Sequence, residues 1–526
     1  MAGIAMSNNL ETQLSEYAKS PAYPFHMPGH KRIMNPMEPS SVTTVLAGAA
    51  QDSADISATA PSENHFPENE ESSSAKNHSP GIYALDITEI DGFDNLHDPQ
   101  KILKTEMARA AKLWGARKTW FSVNGSTCAI LVAISAALPK GGRIHIERGC
   151  HMSVYHTAYL RELSLTYIDP NAEEAQAVSE IPEGTDAIVI TSPSYEGVVK
   201  DIQLWANAAH AKGALLIVDE AHGAHLGFHP YFPESAVRLG ADLVAQSTHK
   251  TLPAMTQTAL LHAASDLVDT RKVDFFFDIY ETSSPSYVLM ASITAAMHLL
   301  ENRRQELFDA YAGRLAKVRS RLSSLIHFSL DGGSFPENAG EGRKLCDPGK
   351  LVIRIKHPGL CHLYEGRKLY PDGPWLYDLL RLTYHLQMEM RAPDYVLAMT
   401  SIADTDEGFD RLACAMEEID QALTLTGDKD ESAEGAVGAG VELPACRMPV
   451  FKACEMKSEL VQLEQAAGRI AADFVILYPP DAPLIVPGEE FSGDLIQAIL
   501  SYRERGFQII GADNSSVLCA VSGIIN

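Results

Sequence analysis

Short apolar runs alternate with longer segments of helical length between residues 100 and 300. The short runs have the length and the branched or aromatic side chains of buried strands. Strands that alternate with helices predict a mainly parallel α/β sheet, whose ligand sites lie at the carboxyl ends of its strands. We predict strands at 119–123, 143–147, 185–190, 215–219 and 242–245, and helices at 101–113, 128–138, 202–211, 233–239 and 289–301.

The pattern changes on either side of this region. Residues 36–81 are rich in Ser, Asn, Glu and Pro with little apolar periodicity, which predicts a disordered insertion after an N-terminal arm at 1–35. After a large domain at 82–300, helices at 306–325 and 375–390 and strands at 351–355 and 395–401 predict a small α+β domain at 301–425. A Gly- and Glu-rich linker at 426–440 leads to a C-terminal domain at 441–526, with a strand at 474–478 and a helix at 495–504.

Composition narrows the class of protein. A formal charge of −25 argues against nucleic acid or an anionic membrane as a partner, because both require basic patches. No apolar run has the length of a membrane span, and the first residues lack the pattern of a secretion signal. The eight cysteines are scattered without a CxxC pair, which is typical of reduced thiols. We therefore expect a cytoplasmic protein that acts on a small molecule.

Two chemically distinctive residues follow neighbouring predicted strands. Asp219 ends one apolar run, and Lys250 follows the next one with Ser247 and His249 beside it. A pyridoxal phosphate site needs a lysine that forms an imine with the cofactor aldehyde, and a carboxylate that keeps the pyridine nitrogen protonated. Either residue alone is more simply an ordinary loop residue, but together they favour this cofactor.

Further polar residues lie at other predicted strand ends. Ser126 and Thr127 follow a strand and begin a helix, where free N–H groups and the helix dipole can bind a phosphate, or where they simply cap the helix. His151 also stands between a strand and a helix and can either stack on a flat ring or cap that helix. Ser284 and Ser286 precede a helix and are phosphate contacts across a dimer interface or caps.

Two other features have competing interpretations. The acids between Asp86 and Asp98, Glu89 among them, form either a rim that attracts cations or a solvated loop. The histidine pair 222/225 lacks the helical frame that aligns zinc ligands, and neither this pair nor 26/30 encloses the Glu of a zinc metalloprotease, so we predict no metal site. The loop at 23–31, with His26, His30 and Lys31, is a structural element or faces the site.

Taken together, the segments 24–31, 86–89, 124–127, 219–223 and 247–250 resemble the bacterial ornithine/lysine/arginine decarboxylase family. Residues 478–480 and 487–489 are similar to its C-terminal domain, so the resemblance covers most of the chain. It implies the aspartate-aminotransferase fold, pyridoxal 5′-phosphate, and a homodimer or higher homo-oligomer with shared active sites. It also implies decarboxylation of arginine, lysine or ornithine to a polyamine-pathway amine.

The resemblance also assigns roles to residues. Lys250 would form the imine, Asp219 would contact the pyridinium, His151 would stack on the ring and Ala221 would pack beneath it. The remaining assignments are Ser126, Thr127, Ser247 and His249 to the phosphate, His222 to the ring substituents, and Ser284 and Ser286 to the partner's cofactor. Separately, the distal cation of such a substrate needs a carboxylate, for which Glu489, Asp86 and Glu89 are candidates.

The chain departs from the family pattern in three ways. It carries the Ser-rich insertion, it has Gly149 and Met152 where Asn and Lys are common, and it resembles the shorter biosynthetic type without a regulatory domain. Two other functions stay open at this point. One is an aminotransferase or another lyase on the same fold, with Arg354 or Arg391 binding the substrate carboxylate, and the other is a non-catalytic relative that binds decarboxylase subunits.

Overall fold

A seven-stranded sheet organises the large part of the molecule. This computed structural model describes residues 21–32, 34, 85–331, 345–429, 443–478, 482–512 and 516–521. The sheet order runs Lys118–Ser122, Ala259–Ala263, Leu243–Ser247, Leu215–Asp219, Ala187–Thr191, Arg143–Glu147 and Ser164–Ile168. Only Ala259–Ala263 is antiparallel to its neighbours, so the predicted mainly parallel α/β sheet is confirmed.

Helices cover both faces of this sheet. The buried apolar side chains form two clusters, which the plane of the sheet separates. The strands are buried on both faces, which explains why they are continuous apolar runs and not alternating ones. The helices are Ile102–Trp114, Gly125–Ala137, Met152–Leu160, Glu174–Ser179, Ile202–Ala211, Thr248–Thr251, Thr270–Tyr280 and Tyr287–Ser323, with a 3-10 turn at Ala236–Arg238.

A second group of small sheets follows the long helix. One has the order Phe328–Leu330, Lys350–Ile355, Tyr395–Met399, Met390–Arg391, and another has the order Arg367–Leu369, Leu360–Tyr364, Leu423–Lys429. Helices Gly373–Leu382 and Asp406–Ala422 pack against them. Two short pairs connect distant parts of the chain: Tyr23–Phe25 with Leu386–Met388, and Val198–Val199 with Leu345–Cys346.

The C-terminal region has an apolar cluster of its own, which includes Val475, Ile485 and Phe491. Its elements are helices Val450–Glu455 and Gly493–Glu504, a 3-10 turn at Leu463–Gln465, the strand pair Ser458–Gln462 and Ser516–Ala520, and the sheet Ala482–Ile485, Val475–Tyr478, Gln508–Ile510.

Several predicted elements differ from the structure. The two helices predicted at 289–301 and 306–325 are one continuous helix, Tyr287–Ser323, and the predicted domain boundary at 300 falls inside it. The helix predicted at 375–390 ends at Leu382, because His385 adopts a positive φ and residues 386–388 pair with the N-terminal strand instead. The helix predicted at 233–239 is a single 3-10 turn. The strands Ser164–Ile168 and Ala259–Ala263 were missed.

The predicted insertion at 36–81, the helical part of the arm and most of the predicted linker lie outside the described residues. Within the described ranges, no helix combines the length and the apolar character needed to cross a bilayer.

Candidate active site

The sheet brings the two distinctive residues to one edge. Asp219 ends the strand Leu215–Asp219, and the neighbouring parallel strand ends at Ser247, directly before the helical turn Thr248–Thr251 that carries Lys250. Asp219 pairs with Ala245 in the sheet register. Because carboxyl ends of parallel strands open into one crevice, the carboxylate and the amine lie on the same side of the molecule.

The Lys250 amine lies against an imidazole. Its Nζ atom is 3.0 Å from Nε2 of His222, and the side chain as a whole is partly exposed. Burial of the amine lowers the pKa of Lys250, against the opposing effects of Asp219 and Glu389. A lysine that is neutral more often than an exposed one is a better nucleophile toward an aldehyde.

The Asp219 carboxylate retains the capacity to bind a further group. Its side chain is only 4% exposed, and in the described part of the chain its one hydrogen-bond donor is the Ala221 backbone N–H, at 3.1 Å. On the neighbouring strand end, Thr191 pairs with Asp219 in register, and its buried hydroxyl has no hydrogen-bond partner within the described residues. Buried polar atoms normally have partners, so this pair marks a place for a polar ligand.

A second polar group lies at the start of the helix Gly125–Ala137. The hydroxyl of Ser126 is 2.6 Å from the hydroxyl of Ser247, while Thr127 is exposed one position further on. His249 Nδ1 bonds to the Thr258 carbonyl oxygen at 2.9 Å, and burial lowers the His249 pKa to about 4. Hydroxyls at a helix N-terminus suit an anion such as phosphate, whereas the one N–H of a neutral His249 ring is already used by the Thr258 carbonyl oxygen.

His151 caps a helix in this structure. Its side chain accepts a hydrogen bond from the Ser153 backbone N–H, and its ring is exposed at the start of the helix Met152–Leu160. It is among the groups whose charge would lower the His222 pKa, so it lies in the same region as Lys250. The capping interpretation is therefore observed, and the exposed ring is also compatible with stacking on a ligand.

These side chains fit pyridoxal phosphate. The open carboxylate of Asp219 suits a pyridinium, the amine of Lys250 suits an aldehyde, and the hydroxyls of Ser126 and Ser247 suit a phosphate. Ala221 is buried directly beside Asp219, where the resemblance predicts a residue beneath the ring.

Sequence reasoning missed Lys350. This lysine begins the strand Lys350–Ile355 of the small sheet, is 2% exposed, and places Nζ 3.0 Å from Nδ1 of His222. A lysine in front of an apolar strand is ordinarily a surface residue, and nothing local distinguishes Lys350 from that case. Its position follows from the packing of the small sheet against the large one.

Glu389 was missed for the same reason. Its carboxylate accepts hydrogen bonds from the Tyr195 hydroxyl at 2.6 Å and from the Met27 N–H at 2.8 Å. The Tyr195 ring packs on the His222 ring, with 4.8 Å between centroids. Glu389 thus brings a negative charge to the cationic group around Lys250.

The N-terminal loop closes one side of the site. The Gly29 N–H donates to the His249 carbonyl oxygen at 2.6 Å, and a side chain at position 29 would lie 2.7 Å from the Leu252 carbonyl oxygen. Lys31 is 1% exposed and donates to the Met399 and His26 carbonyl oxygens. The loop at 23–31 therefore lies against the site, in agreement with the interpretation that it faces the site.

Other assigned residues are placed differently. The Glu489 carboxylate, expected to bind the substrate's cation, is 1% exposed and forms a bidentate ion pair with Arg148, a cation of the chain itself. Asp86 and Glu89 are exposed, and no hydrogen bond or ion pair within the described residues joins them to Lys250. Ser284 is exposed, and Ser286 caps the helix Tyr287–Ser323.

The chain also matches known sequences. Residues 78–335 match the family described as Orn/Lys/Arg decarboxylase, major domain, and residues 447–508 match the C-terminal domain of the same family. Arginine decarboxylase of Bacillus subtilis is 28% identical over 447 residues, covering 82% of this chain and 88% of that protein. Protein YaaO of Bacillus subtilis is 32% identical over 438 residues, covering 80% of this chain and 85% of that protein.

The chain belongs to the Orn/Lys/Arg decarboxylase family. The constitutive lysine decarboxylase of E. coli has a similar solved structure, with a TM-score of 0.65 at 19% sequence identity over 79% of this chain and 72% of that one. The aspartate-aminotransferase type of α/β fold expected for this decarboxylase is therefore confirmed. As a member of this family the protein is an enzyme, a basic amino-acid decarboxylase.

Proposed function

We propose that the protein decarboxylates a basic L-amino acid with pyridoxal 5′-phosphate bound covalently through Lys250. The observation that carries this proposal is the arrangement of Lys250 and Asp219 on neighbouring strand ends, with the Asp219 carboxylate open to a further partner. Arginine is the first substrate to test, because the relatives named arginine decarboxylase align over more of the chain than those named lysine decarboxylase.

When bound, the cofactor supplies an electron sink for the electron pair that carbon dioxide leaves behind. Asp219 would maintain that sink by holding a proton on the pyridine nitrogen. Ser126, Thr127, Ser247 and His249 would bind the phosphate, and the exposed ring of His151 would contact the flat face. Lys250 Nζ lies 3.0 Å from Nε2 of His222, so the two groups could exchange a proton, and Lys250 would deliver a proton to the α-carbon in place of the departed carboxylate.

We also propose a homodimer with shared active sites in a cytoplasmic polyamine pathway. Ser284 is exposed before the long helix, where a second protomer can approach it, and Ser286 would act there beside its capping role. Asp86 and Glu89 are exposed carboxylates that can meet the distal cation of a substrate bound in a partner. The negative net charge of −25 is compatible with a cationic substrate.

An aminotransferase is less compatible with the arginines. Arg354 pairs with both Asp331 and Asp394, so its guanidinium is already neutralised. Arg391 donates to the Gly506 carbonyl oxygen and lies over the Tyr377 ring. Neither arginine is thus presented to a substrate carboxylate, whereas an aminotransferase normally binds that group with an arginine.

Product analysis by mass spectrometry tests the proposal. Protein reconstituted with pyridoxal phosphate is incubated separately with arginine, lysine and ornithine, beside a Lys250→Ala control. Agmatine, cadaverine or putrescine formed only with intact Lys250 supports the decarboxylase and identifies the substrate. A keto acid would move the protein to the aminotransferases, and no cofactor bound to Lys250 would refute the cofactor proposal.

A further inference from the structure

A buried hydroxyl at the edge of the site has no hydrogen-bond partner among the described residues. It belongs to Thr191, the last residue of the strand Ala187–Thr191. The backbone N–H of Thr191 donates to the Glu147 carboxylate at 2.6 Å, so the strand end is held in place while the hydroxyl stays open. Buried polar groups in proteins normally have partners, and this hydroxyl therefore indicates the position of a ligand atom.

The register of the sheet determines which face carries this side chain. Successive side chains of a strand point to opposite faces, and residues paired in parallel strands share a face. Val189 and Ile217 are paired and belong to one apolar cluster. Thr191 and Asp219 are also paired and lie two positions further along the same two strands, so they share that face. The open hydroxyl and the open carboxylate are thus neighbours on adjacent strand ends.

Ser247 lies on the same face, on the other side of Asp219. Ala245 belongs to the same apolar cluster, and Ser247 follows it by two positions in its strand. The Ser247 hydroxyl is 2.6 Å from the Ser126 hydroxyl, which lies at a helix N-terminus. The sheet order places the strand of Asp219 between the strands of Ser247 and Thr191. Across the site the groups therefore run from paired hydroxyls through a carboxylate to a single hydroxyl.

The substituents of pyridoxal phosphate follow the same order around its ring. The phosphate arm at C5 and the hydroxyl at C3 lie on opposite sides of the line that joins the ring nitrogen to the aldehyde-bearing C4. When Asp219 holds the nitrogen and the hydroxyls of Ser126 and Ser247 hold the phosphate, the 3-hydroxyl is on the side of Thr191. An oxygen that ionises there accepts a hydrogen bond, and a threonine hydroxyl donates one.

We propose that Thr191 binds the cofactor by donating a hydrogen bond from its hydroxyl to the 3-oxygen of the pyridine ring. This inference rests on the proposed function, since it requires pyridoxal phosphate with its nitrogen at Asp219. The contacts to the phosphate and the nitrogen alone leave the ring free to rotate about the line between them, and a third contact at the 3-oxygen removes this freedom. Thr191 therefore orients the plane of the ring, and negative charge on the 3-oxygen strengthens the hydrogen bond.

The test measures ligand binding by the full chain without cofactor, using isothermal titration calorimetry. The first ligand is 4-deoxypyridoxine 5′-phosphate, which has a methyl group instead of the aldehyde and so does not react with Lys250. The second ligand is the same molecule without the 3-hydroxyl. We expect Thr191→Val, which replaces the hydroxyl by a methyl group of similar size, to weaken binding of the first ligand by roughly tenfold to a hundredfold and to leave binding of the second ligand unchanged.

Two further variants control for the loss of a buried hydroxyl. Thr191→Ser keeps the donor, so its binding of both ligands should stay close to that of the parent protein. Thr119→Val removes a hydroxyl from another strand of the same sheet, where Thr119 is 1% exposed and its Oγ1 atom is 2.8 Å from Nδ1 of His262. Because Thr119 lies near the beginning of the strand Lys118–Ser122, away from the site, both dissociation constants should be unchanged.

Equal weakening of both ligands in Thr191→Val would overturn the inference, because the hydroxyl would then act on Asp219 or on the fold and not on the 3-oxygen. Unchanged binding of both ligands would overturn it as well. If Thr191→Val does not fold, Thr191→Ala replaces it, with the same expected outcome.

The same measurements separate this inference from the proposed function. Binding of neither ligand by the parent protein would refute the cofactor itself and, with it, the role of Thr191. Product formation beside equal weakening of both ligands would refute only the role of Thr191. Weakening confined to the first ligand, without product in the decarboxylation assay, would refute only the proposed reaction.

Discussion

The ion pair between Arg148 and Glu489 gives the sharpest test of how the C-terminal region is used. The Arg148 and Glu489 side chains are 10% and 1% exposed and the pair is bidentate. Glu489 also accepts from the Val486 N–H at 2.8 Å, while Arg148 donates to the Leu484 carbonyl oxygen at 3.2 Å. The pair therefore joins the strand end after Arg143–Glu147 to the loop after Ala482–Ile485.

We predict that Glu489→Gln weakens this junction by about 3–5 kcal/mol, because removing one partner leaves a buried guanidinium without its counter-charge. Hydrogen exchange with mass spectrometry on the peptide around 484–491 measures the effect locally. Each 1.4 kcal/mol is a factor of ten, so exchange through local opening should accelerate by roughly a hundredfold or more.

The adjacent residue provides the control. Glu490 pairs with Arg447 at 2.6 Å, but these side chains are 32% and 55% exposed. An exposed pair contributes about 0–1 kcal/mol, so Glu490→Gln should change exchange very little. The double variant Arg148→Met with Glu489→Met should recover much of the loss, because no unpaired charge remains.

One outcome would refute this reasoning. If Glu489→Gln leaves exchange unchanged but raises KM for the basic amino acid, then Glu489 binds the substrate cation as the sequence suggested. The structural pairing with Arg148 would in that case break when substrate binds.

Three further predictions follow from the site. Asp219→Asn should lower kcat by roughly 10²–10³-fold while Lys250 still binds the cofactor, since one electrostatic partner of the developing charge is lost. Steady-state kinetics and the cofactor absorbance band measure the two effects, and a kcat near the parent value would contradict the prediction. Gly29→Ala should lower both activity and thermal midpoint, because its Cβ would lie 2.7 Å from the Leu252 carbonyl oxygen, whereas Gly149→Ala, with nothing within 4 Å, should not. The pKa of Lys350 is lowered from 10.5 to about 8 in the folded protein, so the unfolded chain binds this proton more tightly. The free energy of unfolding should therefore rise by about 3 kcal/mol between pH 8 and 10.5, relative to Lys350→Met. Thermal midpoints of both proteins across that pH range measure this difference, and midpoints that change in parallel would contradict the prediction.

The strand ends of the large sheet could be predicted from the sequence because each depends on local information. A buried parallel strand is a continuous apolar run, and the polar residue that ends it, such as Asp219, is visible at once. The helix start at Ser126 and the lysine after the next strand follow from the same pattern. Since carboxyl ends of parallel strands meet at one edge, the central part of the site could be inferred without coordinates.

The prediction of secondary structure failed where tertiary contacts determine which element forms. Residues 386–388 form a strand because Tyr23–Phe25 pairs with them, from a segment more than 350 residues earlier. The antiparallel strand Ala259–Ala263 pairs with Lys118–Ser122, which is distant in the sequence, and with Leu243–Ser247, to which residues 248–258 connect it. The local pattern of apolar and polar residues does not indicate such a pairing.

The sequence alone therefore determined the α/β class, the lysine and carboxylate of the site, and the resemblance that led to the family. Only the tertiary structure decided which charges meet. It paired Glu489 with Arg148, and it brought Lys350 and Glu389 from the small sheets to His222 and Tyr195. The sequence does not show whether a lysine or a glutamate is solvated or buried. The role of such a residue depends on the groups that folding places within a few ångströms of it.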